Sequence, residues 1–402
     1  MDSIIVFCHL RWNFVYQRPQ HLLSRLSRHY NIILVEEPEY RDGEPELQIS
    51  NPLPNLTVCK PLTPVREFGF DDKQMPYLRK MVRALGKQHP DPIVWFYTPM
   101  ALPLLDELKP RQVVYDCMDE LSAFKNPPPA LLPREDELLR RADIVFTGGP
   151  SLYEAKKDRH PNVHCFPSSV DVNHFRQALD RNIAHSDLKD LPRPVLGFYG
   201  VIDERFDTEL AGQLADAHPE WQVVLVGPVV KIDAASLPQR PNIHYMGQQP
   251  YTALPQFLAA WDVCLMPFAM NESTRFISPT KSLEYMAAEL PIVSTPVKDV
   301  VDLHSDVVEI AVTAPEFIAA CERVLAMDSD EKLRRIRQMR DKLSRTSWDV
   351  TAMSMHKLLE QGAQQPGRLR QTAQAANEVP DEAAAGYRLQ GAAGANRAAL
   401  RD

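Results

Sequence analysis

The residues most able to do chemistry lie in one stretch, which runs from Ser278 to Ala288. Ser278 and Pro279 are typical of a helix cap and a first helical residue, so the stretch predicts a helix whose first N–H groups can face an anion. Lys281 puts a positive charge where the helix dipole disfavours one, and an anionic ligand would remove that conflict. Glu284 follows three residues later on the same face. Together they would suit a nucleoside diphosphate, with the cation on a phosphate and the carboxylate on the ribose.

An ordinary helix with a solvated Lys281–Glu284 ion pair is the alternative, and such a pair contributes little stability. The stretch alone does not decide between the two interpretations. The decision depends on the elements that would surround this helix.

Composition restricts the class of protein. The chain has 402 residues, enough for two domains, and its 44% hydrophobic and 24% charged residues are typical of a soluble globular protein. A net charge of −8 argues against nucleic acid as a partner. The cysteines form no CxxC pair, which indicates reduced thiols, and we expect neither a signal peptide nor a membrane span. These features predict a cytoplasmic protein.

Short β-branched runs alternate with helical patterns along most of the chain. Such apolar strands form parallel sheets that helices cover on both faces. The alternation restarts after a polar stretch, so the predicted class is α/β with two Rossmann-like domains facing each other across a cleft. The predicted units are a first domain at 1–178, a second at 179–346, a helix crossing back at 347–361 and a disordered tail at 362–402. No strand is predicted between the one at 32–35 and the one at 93–96.

Ligands of open α/β sheets bind beyond the carboxyl ends of the strands, and with two such sheets the cleft between them is the expected site. The candidate residues are therefore those that directly follow strands. They lie at residues 9–18, 116–124, 200–207, 247–251 and 267–279.

Several motifs occur in the order of a known family. They are Trp12 with QRPQH at residues 17–21, YDCMDE at 115–120, ADIVFT at 142–147, GVIDER at 200–205, WDVCLMPF at 261–268, and the stretch at 278–288. With these motifs the chain resembles a GT-B glycosyltransferase of family 4, in particular bacterial enzymes of exopolysaccharide or teichuronic-acid assembly. The resemblance covers residues 1–360.

The resemblance implies that the second domain holds a nucleotide sugar, with UDP favoured, and that the first domain holds a saccharide or lipid-linked acceptor. It assigns Glu284 to the ribose and Arg205 to the diphosphate. The catalytic candidates are Arg205, Lys281 and Asp119. The other donor-side candidates are Ser278, Pro279, Thr280, Gly200 and Gly247, and the acceptor-side candidates are His9, Trp12, Arg18 and Asp116.

The chain departs from the family pattern at two positions. Phe276 stands where relatives often carry a second glutamate, and the nearest carboxylate is Glu272. Met118 stands where many relatives have a histidine. Both departures bear on contacts to the donor sugar, and neither removes the predicted diphosphate site.

We expect no metal cofactor. Positioned cations can stabilise the charge that develops on a leaving nucleoside diphosphate. The only Asp-x-Asp triplet, at 328–330, is better interpreted as a helix cap, and His160 and His164 as structural residues. The resemblance implies retention of anomeric configuration. An inverting reaction would need a base from the first domain, for which His9, Asp116 and Asp119 are candidates.

The predicted function is a metal-independent glycosyltransferase of cell-envelope or exopolysaccharide biosynthesis. The alternatives are a sugar-nucleotide epimerase of similar fold and a catalytically silent nucleotide-sugar-binding partner protein. The predicted helix at 75–87 has an apolar stripe and a basic face. It is interpreted as a helix packed on the sheet, with peripheral attachment to an anionic membrane as the alternative.

Overall fold

The apolar runs of the sequence form two sheets, as seen in a computed structural model that describes residues 1–364. Most strands are buried because helices cover both sides of each sheet, and the strands Glu39–Tyr40 and Glu46–Leu53 of the first sheet are mostly exposed. The predicted α/β class with two Rossmann-like units is therefore confirmed.

The first sheet has nine strands in the order β3-β5-β2-β1-β6-β7-β8-β9, with β4 antiparallel to β5 and the other pairings parallel. Its strands are β1 Ser3–Cys8, β2 Asn31–Glu36, β3 Glu39–Tyr40, β4 Glu46–Leu53, β5 Leu56–Thr63, β6 Ile93–Phe96, β7 Gln112–Cys117, β8 Ile144–Thr147 and β9 Val163–Cys165. The α-helices of this part are α1 Arg18–Leu26, α2 Met75–Gln88, α3 Leu131–Arg141, α4 Pro150–Lys156 and α5 Val172–Phe175.

The second sheet has six parallel strands in the order β12-β11-β10-β13-β14-β15. They are β10 Val195–Tyr199, β11 Gln222–Val226, β12 Ile243–Tyr245, β13 Val263–Met266, β14 Ile292–Ser294 and β15 Val308–Ile310. Its α-helices are α6 Thr208–Ala217, α7 Leu254–Ala260, α8 Lys281–Ala287, α9 Lys298–His304, α10 Ala314–Leu325 and α11 Ser329–Ser344.

Helix α12, Trp348–Gln364, packs on the first sheet. Trp348 and Met355 are buried in the same apolar cluster as Ile4 and Val6 of β1. The helix extends beyond the predicted end at residue 361, and the rest of the predicted disordered tail lies outside the described residues.

Strands β3, β4 and β5 are absent from the sequence prediction. Most residues of β4 are exposed, so this strand depends on its antiparallel pairing with β5 and leaves no apolar signature. Leu56, Val58 and Cys59 of β5 are buried, but Pro61 interrupts the pattern.

Helix α2 is the predicted amphipathic helix, and Leu78, Val82 and Leu85 bury its apolar stripe. Two of its basic residues, Arg79 and Arg83, bind Glu107 at 3.0 and 2.7 Å. The predicted packing on the sheet is therefore confirmed. Within residues 1–364, no helix is both long enough and apolar enough to cross a membrane.

Candidate functional site

The carboxyl ends of β10 and β11 open into a cavity of about 590 Å³ between the two domains. The second domain contributes Tyr199, Gly200 and Gly227 to its wall, together with the loop at 248–251. The first domain contributes the loop at 12–16. The cleft predicted from the strand order is therefore present, and aromatic side chains line this part of it.

Lys281 lies directly over Gly200 at this edge. A Cβ atom added to Gly200, where φ is +147°, would lie 2.4 Å from the Cε atom of Lys281. A Cβ atom on Gly227 would lie 1.8 Å from the carbonyl oxygen of Gly200. Glycine is therefore required at position 200 for the lysine to lie there, and at position 227 for the close approach of the Gly200 backbone.

The Lys281 ammonium has no counter-charge in contact. Within residues 1–364, no carboxylate lies within 4.0 Å of its Nζ atom, and Nζ is 5.5 and 5.9 Å from the ring centroids of Phe198 and Phe268. Burial lowers the pKa of Lys281 to about 8, with Arg205 acting in the same direction and Glu284 opposing. The Lys281–Glu284 solvated ion pair considered from the sequence is therefore wrong.

Glu284 is buried one turn along α8. Its Oε2 atom accepts a hydrogen bond of 2.6 Å from the Tyr199 hydroxyl. Burial raises the pKa of Glu284, and this hydrogen bond and the charge of Lys281 oppose the rise. The carboxylate is thus oriented at the end of β10, beside the cavity that Tyr199 lines.

The predicted start of α8 is wrong. The helix begins at Lys281, Thr280 is in the cap position without a side-chain cap bond, and Pro279 lies before the helix. The Ser278 side chain instead packs against Gly149 of the first domain, where an added Cβ atom would lie 2.6 Å from the Ser278 Cβ atom. Packing between residues distant in sequence therefore places Ser278 outside the cap position that the local pattern assigns to it.

Arg205 follows β10 and is held by Asp203. Its Nε and Nη2 atoms donate to the buried Asp203 carboxylate at 3.0 and 2.7 Å. A guanidinium has five N–H donors, so donors remain for a ligand. Its Cζ atom also lies 5.1 Å from the ring centroid of Phe124, which belongs to the first domain.

Asp119 faces these cations from the first domain. Burial raises the pKa of its carboxyl, and the charges of Arg205, Arg18 and Lys231 oppose the rise. Its carboxylate forms no hydrogen bond or ion pair with any residue between 1 and 364. The structure thus brings together Arg205, Lys281 and Asp119, the three catalytic candidates.

Arg18 and Asp116 bind each other and are sequestered. The guanidinium donates to both Asp116 oxygens at 2.9 to 3.2 Å, and its Nη1 atom donates to the Phe166 carbonyl oxygen at 2.7 Å. Arg18 is 5% exposed and Asp116 is 0% exposed. This pair fixes the first domain's loops, and Asp116 is not free to act as a base.

His9 and Trp12 do face the cleft region. Burial lowers the pKa of His9 to about 4, with Lys231 acting in the same direction, so the imidazole is neutral at neutral pH. The Trp12 backbone N–H donates to Glu36 at 2.7 Å, which leaves its ring on the cavity wall. On the donor side, the carbonyl oxygen of Gly247, whose φ is +62°, accepts from the Gly227 N–H at 2.8 Å.

Sequence reasoning missed Lys231, Glu37, Tyr199 and Asp299. Lys231 follows β11 by a short loop and adopts φ +63°, and Glu37 is the first residue after β2. Position after a strand was a usable signal for these two residues. Asp299 offered no such signal because its partner Ser151 is 148 residues away.

The departure from the family pattern at position 276 has a structural counterpart. Phe276 packs against the apolar core of the first domain, so it bridges the domains. Glu272 is exposed and lies 3.6 Å from Arg275, so it does not occupy the place of a cleft carboxylate.

Neither motif considered for metal binding has the required surroundings. Asp328 caps α11 by accepting from the Glu331 N–H at 2.9 Å, as predicted. Both ring nitrogens of His160 have main-chain partners, and His164 contacts Asn162 at 2.7 Å. Among residues 1–364, no group of three or more His, Cys, Asp or Glu side chains could hold a metal ion.

One buried contact joins the domains next to the site. The Oδ1 atom of Asp299 accepts hydrogen bonds from the backbone N–H and hydroxyl of Ser151, at the start of α4. A Cβ atom on Gly149 would lie 2.5 Å from the Oδ2 atom of Asp299, so glycine permits this approach. The same Cβ atom would lie 2.6 Å from the Cβ atom of Ser278, so the segment before Lys281 also packs against the first domain here.

We expect Asp299→Ala to loosen the pairing of the domains, because it leaves the Ser151 donors without partners at a cost of about 1–3 kcal/mol. The radius of gyration from small-angle X-ray scattering should rise above the wild-type value. Asp302→Ala is the matched control, since Asp302 lies on the same helix, is 40% exposed and pairs only with Lys298. Equal radii for both variants would contradict the expectation.

Comparison with known proteins gives independent evidence. Residues 193–327 match the family model described as "Glycosyl transferases group 1". A Bacillus subtilis (strain 168) protein, the "Putative teichuronic acid biosynthesis glycosyltransferase TuaH", is 27% identical over 276 residues, which are 62% of this chain and 67% of that protein.

Two solved structures with low sequence identity share the fold. The sucrose-phosphate synthase from Thermosynechococcus elongatus superimposes with a TM-score of 0.69 at 15% identity, covering 90% of this chain and 99% of that one. A structure described as "Trehalose-6-phosphate from E. coli bound with UDP-2-fluoro glucose" gives a TM-score of 0.62 at 14% identity, with coverage of 90% and 99%. The chain thus has the GT-B fold and residues 193–327 form a glycosyltransferase group 1 domain, so its identification as a glycosyltransferase is confirmed.

Proposed function

We propose that the protein transfers a sugar from a nucleotide-sugar donor, with a UDP-sugar favoured, to a saccharide or lipid-linked acceptor of cell-envelope or exopolysaccharide biosynthesis. The observation that carries the proposal is the Lys281 ammonium, which lies over Gly200 with no carboxylate within 4.0 Å among residues 1–364. A cation that is partly removed from water without a paired charge is costly, and an anionic ligand would offset that cost.

The surroundings of Lys281 support a nucleoside diphosphate as that ligand. Glu284 is oriented for a ribose hydroxyl pair, and the aromatic-lined cavity beside Tyr199 and Tyr251 has room for a base. The UDP preference draws support from the E. coli structure with UDP-2-fluoro glucose, and the biosynthetic context from the similarity to the B. subtilis protein.

The proposed mechanism uses the protein's own cations. As the glycosidic bond of the donor breaks, negative charge develops on the leaving diphosphate, and Lys281 and Arg205 stabilise it. Asp203 holds the Arg205 guanidinium in a fixed orientation, so little reorganisation is needed. We propose that no metal ion is required and that the anomeric configuration is retained. In that case the donor phosphate takes the acceptor's proton.

A catalytically silent nucleotide-sugar-binding protein is the second candidate. It is favoured by one observation, the occupation of position 276 by a phenylalanine that packs on the first domain's core instead of facing the donor. Release of UDP from a bound UDP-sugar, followed over time, distinguishes turnover from binding alone.

We expect UDP to stabilise the wild-type protein and Glu284→Ala to lose most of that stabilisation. A ligand at about a hundred times its dissociation constant stabilises by about 2.7 kcal/mol. A thermal-shift screen of UDP, GDP and ADP with EDTA present measures this effect.

Glu272→Ala is the control for this screen, because Glu272 is an exposed carboxylate outside the cleft. It should respond to UDP like the wild type. If no nucleotide stabilises the wild type, the proposal of a nucleotide-sugar donor site is wrong. A loss of UDP binding in Glu272→Ala would instead place that carboxylate in the site.

We expect the affinity for UDP to depend on pH through Lys281. Burial lowers the pKa of Lys281 to about 8 in the free protein, and a bound diphosphate would raise it. Affinity should therefore be constant below about pH 8 and weaken above it, because the lysine must then take up a proton on binding.

Isothermal titration calorimetry at about pH 7, 8 and 9 measures this dependence. Lys281→Met should bind UDP more weakly at all three values and lack the loss of affinity that the lysine causes above about pH 8. The control Lys298→Gln removes an exposed lysine that pairs with Asp302 and should match the wild type. A Lys281→Met profile parallel to the wild-type profile would refute the role of the lysine.

Peripheral membrane attachment is a separate part of the proposal, and α2 is the candidate surface. Its exposed Lys80 and Lys87 are free of the Glu107 pairs that engage Arg79 and Arg83. If the acceptor is lipid-linked, flotation with anionic liposomes at low salt should detect binding that Lys80→Glu weakens. If the wild-type protein is absent from the liposome fraction, the proposed membrane attachment is wrong.

A further inference from the structure

The first domain presents two polar residues side by side at the carboxyl edge of its sheet. Cys8 of β1 and Glu36 of β2 are register partners, so the next residues, His9 and Glu37, occupy neighbouring positions where the two strands end. This edge faces the second domain, because the charge of Lys231 acts on both side chains.

Both side chains are partly buried and have unused hydrogen-bonding capacity. The Glu37 carboxylate forms no hydrogen bond or ion pair with any residue in the described range 1–364. Burial raises the pKa of Glu37 to about 7, opposed by Arg11 and Lys231. The Nδ1 atom of His9 is buried without a partner among the same residues. Polar groups left in this state indicate a ligand that supplies the missing bonds.

Asp119 and Phe124 extend this surface. The Asp119 carboxylate is unpaired within residues 1–364, and Lys231 acts on it as well. The Lys231 Nζ atom lies 5.0 Å from the ring centroid of Phe124. Lys231 is thus the common neighbour of two carboxyl groups, one imidazole and one aromatic ring. Carboxylates beside an aromatic ring are suited to binding a sugar. The sugar hydroxyls can donate hydrogen bonds to the carboxylates, and the C–H face of the sugar ring can pack on the aromatic ring.

The nearby arginines of the first domain are already neutralised. Arg11 lies 3.3 Å from Glu36 and 3.5 Å from Glu39, and Arg18 is buried against Asp116. Lys231 is therefore the unpaired cation that faces Glu37 among residues 1–364, whereas Asp119 faces both Arg205 and Lys231. The first domain presents these two carboxyl groups to the cleft, and the second domain presents Lys281 and Arg205.

We propose that His9, Glu37, Asp119 and Phe124 form an acceptor subsite for a neutral, hydroxyl-rich sugar unit, and that Glu37 discriminates against a phosphorylated one. The inference rests on the proposed function, since it concerns the acceptor of the same transfer. A sugar hydroxyl donates to the Glu37 carboxylate. A phosphate group has like charge and would leave that carboxylate unpaired, so its binding is disfavoured.

The test measures binding of two matched pairs of probes to the UDP-saturated protein. The pairs are glucose with glucose 6-phosphate, and N-acetylglucosamine with its 6-phosphate. Dissociation constants come from ligand-observed NMR titration at about pH 8, where the Glu37 carboxyl is mostly ionised because burial raises its pKa to about 7. We expect the wild type to bind the neutral member of a pair about tenfold more tightly or better, since a hydrogen bond to a charged group is worth about that factor.

Glu37→Gln keeps the shape of the side chain and removes its charge, so it should narrow this preference by about tenfold. The matched control is Glu137→Gln, which changes a 44% exposed carboxylate of the same domain that pairs with Arg140. It should keep the wild-type preference. UDP stabilisation measured on each protein confirms that the variant is folded.

Three outcomes would overturn the inference: equal or tighter binding of the phosphates by the wild type, an unchanged preference in Glu37→Gln, or binding of neither member of either pair. UDP binding separates these outcomes from failure of the proposed function. If UDP fails to stabilise the wild type, the donor site itself is wrong. If UDP binds and one of the three outcomes occurs, only the acceptor subsite is wrong.

Discussion

The site depends on one constraint, a lysine ammonium brought into the cleft without a counter-charge. Removing a charge from water costs free energy unless a partner of opposite charge compensates. The pKa of Lys281 is lowered as a result, because burial disfavours its charged form. The chain reaches this arrangement only because Gly200 and Gly227 have no side chains where the lysine and the Gly200 carbonyl oxygen lie. The end of β10 is therefore shaped around Lys281, and Tyr199 orients Glu284 at the same edge.

The sequence predicts the second sheet well because its strands are short, continuous apolar runs. Strands β10, β13 and β14 are fully buried runs of this kind. In the first domain, β4 is stabilised by edge pairing and is mostly exposed, so its residues carry no pattern to detect. The spacing of Lys281 and Glu284 placed them on one helix, which is a local property. The cap predicted at Ser278 is wrong because the helix begins at Lys281 and Ser278 packs on Gly149, a residue remote in sequence.

Residue types in the predicted site were informative, but their partners were not predictable. The resemblance assigned Arg205 to a diphosphate, and in the structure its guanidinium binds the carboxylate of Asp203. Since Asp203 is 4% exposed, this pair fixes a guanidinium that still has free donors. Arg18 and Asp116 were both candidates for the acceptor side. They neutralise each other across 98 residues, a pairing that only the fold creates.

The two domains supply different charged side chains to the cleft, because each domain contributes its own loops. The loops after β10 and β11 and helix α8 bring Arg205, Lys231 and Lys281, whereas the loops after β2 and β7 bring Glu37 and Asp119. A nucleoside diphosphate suits the first set and a neutral sugar the second. Lys231 faces the carboxylates from the opposite domain, so its attraction favours closure of the cleft. Asp299 adds a buried contact with Ser151 beside the same helix. The closure of the cleft and the charged side chains on its two sides thus depend on the same few loops. A change in the loops of either domain therefore alters both the closure and the charges.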